Sequence, residues 1–252
     1  MLAKSVATRY VAPLREGGSL PGLVEADDLG TYVMKFRGAG QGLKALVAEV
    51  IVGELGRRIG LRVPDMKALS LSAEIGRYEA DQEVQDLLSA SVGLNLGVDF
   101  LPGSFGFDGR AFKPPGEEAA RIMWLDALTV NIDRSWRNPN LLVWHRKLWC
   151  IDHGAALYFH HNWEETSPEL FAARPYDYDD HILKDVARKA GPGVYAAVKA
   201  QVTEQVLREV LELVPDNWLE PAPGSEKPGA VRELYLEFLQ ARLASAPDWL
   251  PG

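Results

Sequence analysis

The stretch Asn131-Ile132-Asp133-Arg134-Ser135-Trp136-Arg137-Asn138-Pro139-Asn140 is the densest in groups that can take a proton or hold a cation. Asp133 stands five residues before Asn138, and Ile151-Asp152-His153-Gly154 follows after two short apolar runs. Phosphoryl transfer asks for such a set: one carboxylate near the incoming hydroxyl, and oxygen ligands that hold magnesium against the phosphates. On this pattern Asp133 is the candidate base, and Asn138 and Asp152 are the candidate metal ligands. Asn140 competes with Asn138, and only the spacing to Asp133 favours Asn138. Asp, Asn and Pro also dominate ordinary turns, so either motif alone reads equally as turn chemistry. The two in this order carry the functional reading. Arg134 stays open between steadying the loop, contacting phosphate and forming a surface salt bridge.

These residues need elements to hold them. Pro114-Pro115-Gly116 precedes a helical pattern from Glu117 to Val130, which delivers the chain to the polar loop. Two apolar runs, Leu141–Trp144 and Leu148–Ile151, split by His145-Arg146-Lys147, predict a hairpin that brings Asn138 and Asp152 to one metal. Upstream, strand-like runs at Thr8–Leu14, Leu23–Ala26 and Thr31–Phe36 predict a meander, and Asp27-Asp28-Leu29-Gly30 has hairpin chemistry. Lys35 ends the third strand. Glu49 lies on a predicted helix from Leu43 to Ile59, stopped by Gly60, so an ion pair between Lys35 and Glu49 is feasible. Each also has an ordinary alternative, a strand-end lysine and a solvated helix residue. Gly17, Gly18 and Ser19 lie between the first two strands, where they could cover phosphates, but they lack the full G-x-G-x-x-G pattern.

A strand is predicted from Pro64 to Leu71, a short helix over Asp81–Ala90, and a brief apolar stretch from Val98 to Leu101 closed by Pro102-Gly103. Ile182–Ala190, Val194–Val214 and Ala230–Leu243 are helical in character, and Trp218–Pro228 reads as a surface loop. The expected architecture is α+β and bilobal. Residues 1–100 would form a small antiparallel sheet lobe with one helix, and residues 101–252 a larger, mainly helical lobe, with a nucleotide cleft between them.

Composition narrows the classes. The chain has 252 residues, 47% hydrophobic, with a formal charge of -8. No Lys/Arg-rich run is present, so no nucleic-acid partner is expected. Cys150 is the only cysteine, which excludes an internal disulfide and a cysteine-based zinc site. No stretch approaches the roughly 18 apolar residues of a membrane span, so no membrane insertion and a cytoplasmic location are expected. His145, His153, His160 and His161 lack an H-E-x-x-H spacing and read as surface or packed histidines. Trp136, Trp144, Trp149 and Trp163 have no basic interleaving and read as core and hairpin packing.

The order of Asp133, Asn138 and Asp152-His153-Gly154 is similar to a kinase catalytic loop followed by its metal-binding aspartate. Together with Tyr32–Phe36, Glu49, Leu61-Arg62-Val63-Pro64 and Trp149–Gly154, this stretch resembles the HipA-like kinase family over roughly Ser5 to His161. A similar Asn-x-Asp-Arg loop occurs in phosphatidylinositol kinases. The resemblance implies a protein-kinase-like fold and transfer of the γ-phosphoryl group of ATP, with Mg2+, to a hydroxyl acceptor, in the first instance a protein serine or threonine. It also implies Lys35 as the ATP lysine, Asp133 as base, and Asn138 and Asp152 as magnesium ligands; the Val98–Leu101 stretch, with Phe100 and Leu101, would line the adenine edge. Toxin-type members carry a histidine shortly after the catalytic aspartate and are longer. Arg134-Ser135-Trp136 stands here instead, so the acceptor does not carry over. Two rival readings are a catalytically silent nucleotide-binding or interaction module and a nucleotidyl transferase. The mass of a modified product separates the latter from a kinase.

Overall fold

The computed structural model describes residues 1–15, 20–77, 79–246 and 249. Gly17, Gly18 and Ser19 of the expected phosphate-covering loop lie outside the described residues. The chain forms two compact units, one of residues 1–46 and 64–102, the other of residues 47–63 and 103–252.

In the first unit, β1 (Lys4–Pro13), β2 (Gly22–Ala26) and β3 (Thr31–Lys35) run as the predicted meander, each antiparallel to the next. β4 (Met66–Leu71) and β5 (Gly93–Asp99) complete a closed barrel in the order β1-β2-β3-β5-β4. The closure corrects the expectation of a purely antiparallel sheet. Lys4–Val6 of β1 pairs in parallel with β4, while Ala7–Pro13 pairs with β2, so one long strand serves two neighbours. A closed barrel leaves no open sheet edge.

Alternation fills the barrel: Val24, Tyr32, Met34 and Leu69 are buried, and Val84 and Leu88 of α2 (Gln82–Ala90) pack into the same core. Asp81 caps that helix, its Oδ1 accepting from Glu83 N at 3.0 Å. β5 starts well before the predicted Val98–Leu101 run. Gly93, Asn95 and Gly97 are poor strand formers that mask its alternation. Gly97 is required there, because a Cβ would run into Leu69.

The helix predicted over Leu43–Ile59 is α1 (Gly42–Arg58), which starts in the first unit and from Val47 on belongs to the second. The second unit is built on α3 (Gly116–Thr129), buried on almost every side from Ala119 onward. A small antiparallel sheet of β6 (Phe105–Gly106), β7 (Leu141–Trp144) and β8 (Lys147–Cys150) follows, with the predicted hairpin turning at His145 and Arg146. α4 (Pro168–Ala173), α5 (Lys184–Ala187), α6 (Gly191–Gln201), α7 (Glu204–Leu211) and α8 (Pro228–Ala244) complete the unit, and α5, α6 and α8 pack on α3.

The helix predicted over Val194–Val214 is two helices. Thr203 Oγ1 accepts from Val206 N at 3.3 Å, a new N-cap that restarts the chain as α7. The predicted Ile182–Ala190 helix shortens to α5, because Gly191 opens α6 and the chain before Lys184 is held by loop contacts. No helix among the described residues is long and apolar enough to cross a membrane.

Candidate active site

α3 delivers the chain to the loop through an abrupt stop. Val130 takes a left-handed φ of 52°, and Asn131 N donates to Asp126 O at 2.8 Å. The loop then closes on Asp133. Its Oδ2 accepts from Asn138 Nδ2 at 2.9 Å and from Asn140 Nδ2 at 3.0 Å, while Asp133 N donates to Asn131 Oδ1 at 3.2 Å. Ser135 N donates to Asp133 O at 2.9 Å and to Asn138 O at 3.0 Å, and Ser135 Oγ accepts from Asn138 N at 3.2 Å. Both Asn side chains thus turn their nitrogens to the Asp133 carboxylate, which puts the amide oxygen, a hard donor suited to magnesium or manganese, at the other end of each.

Beneath the loop lies a buried polar network. Asp126 of α3 accepts from Arg134 Nε at 2.6 Å and from Asn131 Nδ2 at 3.0 Å, with His181 Nε2 3.0 Å from its Oδ2. Arg134 also donates to Asn140 O and faces His153 Nδ1 at 3.3 Å. Tyr176 Oη donates to Asn131 O at 2.9 Å. Asp126 and Arg134 are wholly buried. Burial pushes the Asp126 carboxyl up, but the Arg134 charge and the His181 bond pull it down to about 2. Burial likewise opposes the Arg134 charge, and Asp126 raises its pKa nonetheless. Of the three roles open to Arg134, steadying the loop is the one its contacts serve, and a surface salt bridge is excluded by its burial.

The second carboxylate follows β8. Ile151 N donates to Asn140 O at 3.1 Å, which ties the strand exit to the loop, and Asp152 then turns with a left-handed φ of 55°. Gly154 N donates to Glu49 Oε1 at 2.7 Å. Glu49 is buried, at 2% exposure, which rules out the solvated helix residue. Burial pushes the neighbouring Cys150 thiol up to about 12, so it is no nucleophile at neutral pH.

The second unit therefore gathers Asp133, Asn138, Asn140, Asp152 and Glu49. The first unit carries Lys35, the last residue of β3, paired with Leu96. Phe100 N donates to Thr31 O at 3.0 Å, and Leu101 is buried.

Among the described residues no cluster of three His, Cys, Asp or Glu groups is placed to hold a metal ion. His160 Nδ1 lies 2.8 Å from Tyr235 Oη in the core, while His145 and His161 are exposed. Trp144 and Trp149 pack edge to face on the hairpin, but Trp136 departs from the packing expectation. It is 58% exposed with the Arg137 guanidinium 4.1 Å above its ring, because Trp136 N is held to Asp180 O on the outside of the loop.

Sequence reasoning missed Asp126, Tyr176 and His181. Asp126 alone left a signal, as an acid directly after the apolar run Ile122–Leu125 of α3, since acids are almost never fully buried unless paired.

The fold has known counterparts. The structure of a Helicobacter pylori proinflammatory kinase, CtkA, superposes with a TM-score of 0.52 at 11% identity, covering 95% of this chain and 94% of that one. The Golgi casein kinase with Mn/ADP bound gives 0.52 at 13% identity, covering 97% of this chain and 74% of that one. No curated protein matches the sequence. The family model of HipA-like kinases matches residues 8–245. By that match, over nearly its whole length, the chain belongs to the HipA-like kinase family and is a kinase.

Proposed function

We propose that the protein transfers the γ-phosphoryl group of ATP to a hydroxyl acceptor, a protein serine or threonine in the first instance, with Asp133 as the base. The observation that carries the reading is the convergence of Asn138 and Asn140 on Asp133 Oδ2. Two amide donors fix the carboxylate's orientation, and its Oδ1 is the oxygen to receive the acceptor proton. Asn138 and Asp152 would hold the divalent cation. Asn138 is preferred to Asn140, because Asn138 is exposed whereas Asn140 is buried, at 7% exposure. Bound magnesium or manganese would neutralise phosphate charge and fix the phosphates for in-line displacement. A nucleotide and a divalent metal together also occur in the Golgi casein kinase structure that shares this fold. Lys35 is the proposed phosphate-binding lysine, and Phe100 and Leu101 the proposed adenine contacts.

Calorimetric titration of ATP, with and without magnesium, tests the premise before any acceptor is known. Wild type should bind in a magnesium-dependent way and Asp152→Ala should lose that dependence. Asp133→Ala should keep nucleotide binding while turnover falls about 10²–10⁴-fold. Absence of binding in wild type, or an unaltered Asp152→Ala, would refute the assignment.

A further inference from the structure

Asp152 sits in a left-handed backbone conformation that a non-glycine residue holds only when its surroundings enforce it. Two buried ionic groups grip the residues just after it. Glu49, from α1, takes Gly154 N at 2.7 Å, and Arg134, from the catalytic loop, meets His153 Nδ1 at 3.3 Å. A guanidinium only donates, so His153 Nδ1 is the acceptor, which fixes the ring as the Nε2–H tautomer. The two grips come from separate elements, α1 and the loop after α3. Glu49 lies 105 residues before Gly154, and Arg134 is itself anchored on Asp126 and on Asn140 O. Glu49 and Arg134 are 2% and 1% exposed, so neither contact is weakened by solvent.

We infer that Glu49 and Arg134 form a two-sided clamp on His153-Gly154 that sets the Asp152 carboxylate for the metal nucleotide. Both are positioning residues. Glu49 then has a duty besides any pairing with a lysine, and the duty needs an acceptor oxygen, not a negative charge. Arg134 links the base-bearing loop and the metal-bearing turn through one side chain, so the two move as one body. This inference rests on the nucleotide reading given above.

The difference between oxygen and charge supplies the test. ATP is titrated calorimetrically into wild type, Glu49→Gln, Glu49→Ala and His153→Ala, with and without Mn2+, and the ratio of the two affinities is the readout. Thermal melting is followed in parallel. A merely structural loss lowers melting temperature and both affinities alike, and leaves the ratio in place. Glu49→Gln keeps an oxygen for Gly154 N, so its ratio should stay within about threefold of wild type, because a neutral acceptor still makes a net bond of about 1 kcal/mol. Glu49→Ala and His153→Ala should each lower the ratio about tenfold, one unsatisfied or released contact being worth about 1–3 kcal/mol. Combining either with Asp152→Ala should add nothing, because the clamp acts only through Asp152. A Glu49→Gln ratio that falls as far as that of Glu49→Ala, or full additivity with Asp152→Ala, overturns the clamp while the nucleotide site stands. A wild type without Mn2+-dependent binding overturns both.

Discussion

Two aspartates, Asp126 under the Asp133 loop and Asp28 at the barrel hairpin, each gather donors from distant parts of the chain, in opposite surroundings. Asp28 accepts from Ser5 Oγ and Tyr32 Oη at 2.8 Å each and from Gly30 N at 3.0 Å, and it pairs with Lys67. It thereby ties β1, the β2–β3 turn and β4 together at one end of the barrel. The Lys67 bond comes first among the causes that hold its carboxyl well below the usual carboxylate range. Yet the Lys67 and Asp28 side chains are 29% and 26% exposed, whereas Arg134 and Asp126 are both at 0%. A barrel already closed by backbone pairing and an apolar core needs little from its ion pair. The loop's large apolar side chains, Ile132 and Trp136, are exposed and do not pack it, so its shape must come from directional bonds, and these hold a geometry only where water cannot compete. Such burial is a poor source of net stability, because desolvation offsets most of the attraction. It is a good source of a single loop conformation, which is what a base and its metal ligands require.

The contrast breaks first at Arg134. Arg134→Met removes the cation and leaves the buried Asp126 charge without its guanidinium counter-ion, so unfolding free energy from urea titration should fall by about 3–5 kcal/mol. A loss below about 1 kcal/mol would mean that the buried network is no more consequential than a surface pair.

Acid sharpens it next. Asp126 has a folded pKa of about 2 against an ordinary value of 3.8. A depressed carboxylate contributes stability that is fully present above the unfolded value and is lost as pH falls through the folded one. The window is therefore about pH 4 down to pH 2, and the loss attributable to Asp126 is about 2 kcal/mol. Asp28 shifts in the same direction, so both contribute to acid unfolding. Urea midpoints of wild type and Lys67→Met across this window separate them. Most of the acid loss should survive in Lys67→Met, since that variant leaves Asp126 and Arg134 intact. An acid loss that vanishes in Lys67→Met would assign the whole effect to the barrel.

The same two regions differ in how far sequence could describe them. The proximity of the loop residues was readable because it is local: Asp133, Asn138 and Asn140 lie within eight residues of one another, and the hydrogen bonds of the ring obey that spacing. α1, α3 and the β7–β8 hairpin were readable from periodicity for the same reason. What sets the loop was not. Asp126, Tyr176 and His181 span 55 residues and meet only after α3 and the chain before α5 have packed, and no local pattern encodes that meeting. Barrel closure escaped likewise, since parallel pairing of Lys4–Val6 with Ala68–Ser70 is a long-range event. The break between α6 and α7 was missed for another reason. Thr203 is a good N-cap, but the apolar pattern continues through Val202 and conceals it.

The smallest effect probes the exposed side of the comparison. Lys67→Met removes the ammonium that lies beside Asp28 and 5.5 Å from the centre of the Tyr32 ring, and keeps most of the apolar stem. Asp28 retains Ser5, Gly30 and Tyr32 as donors and stays reachable by water, so the cost should be at most about 1 kcal/mol. Screening decides whether that cost is electrostatic. At about 1 M salt the Debye length shrinks to about 3 Å, and the stability difference between Lys67→Met and wild type should fall towards zero. The difference for Arg134→Met, whose partners water and ions do not reach, should be the same at both ionic strengths. Equal salt sensitivity of the two variants would mean that Asp126 and Arg134 feel the solvent as Asp28 and Lys67 do, and the division between a buried positioning network and an exposed fastening would fall.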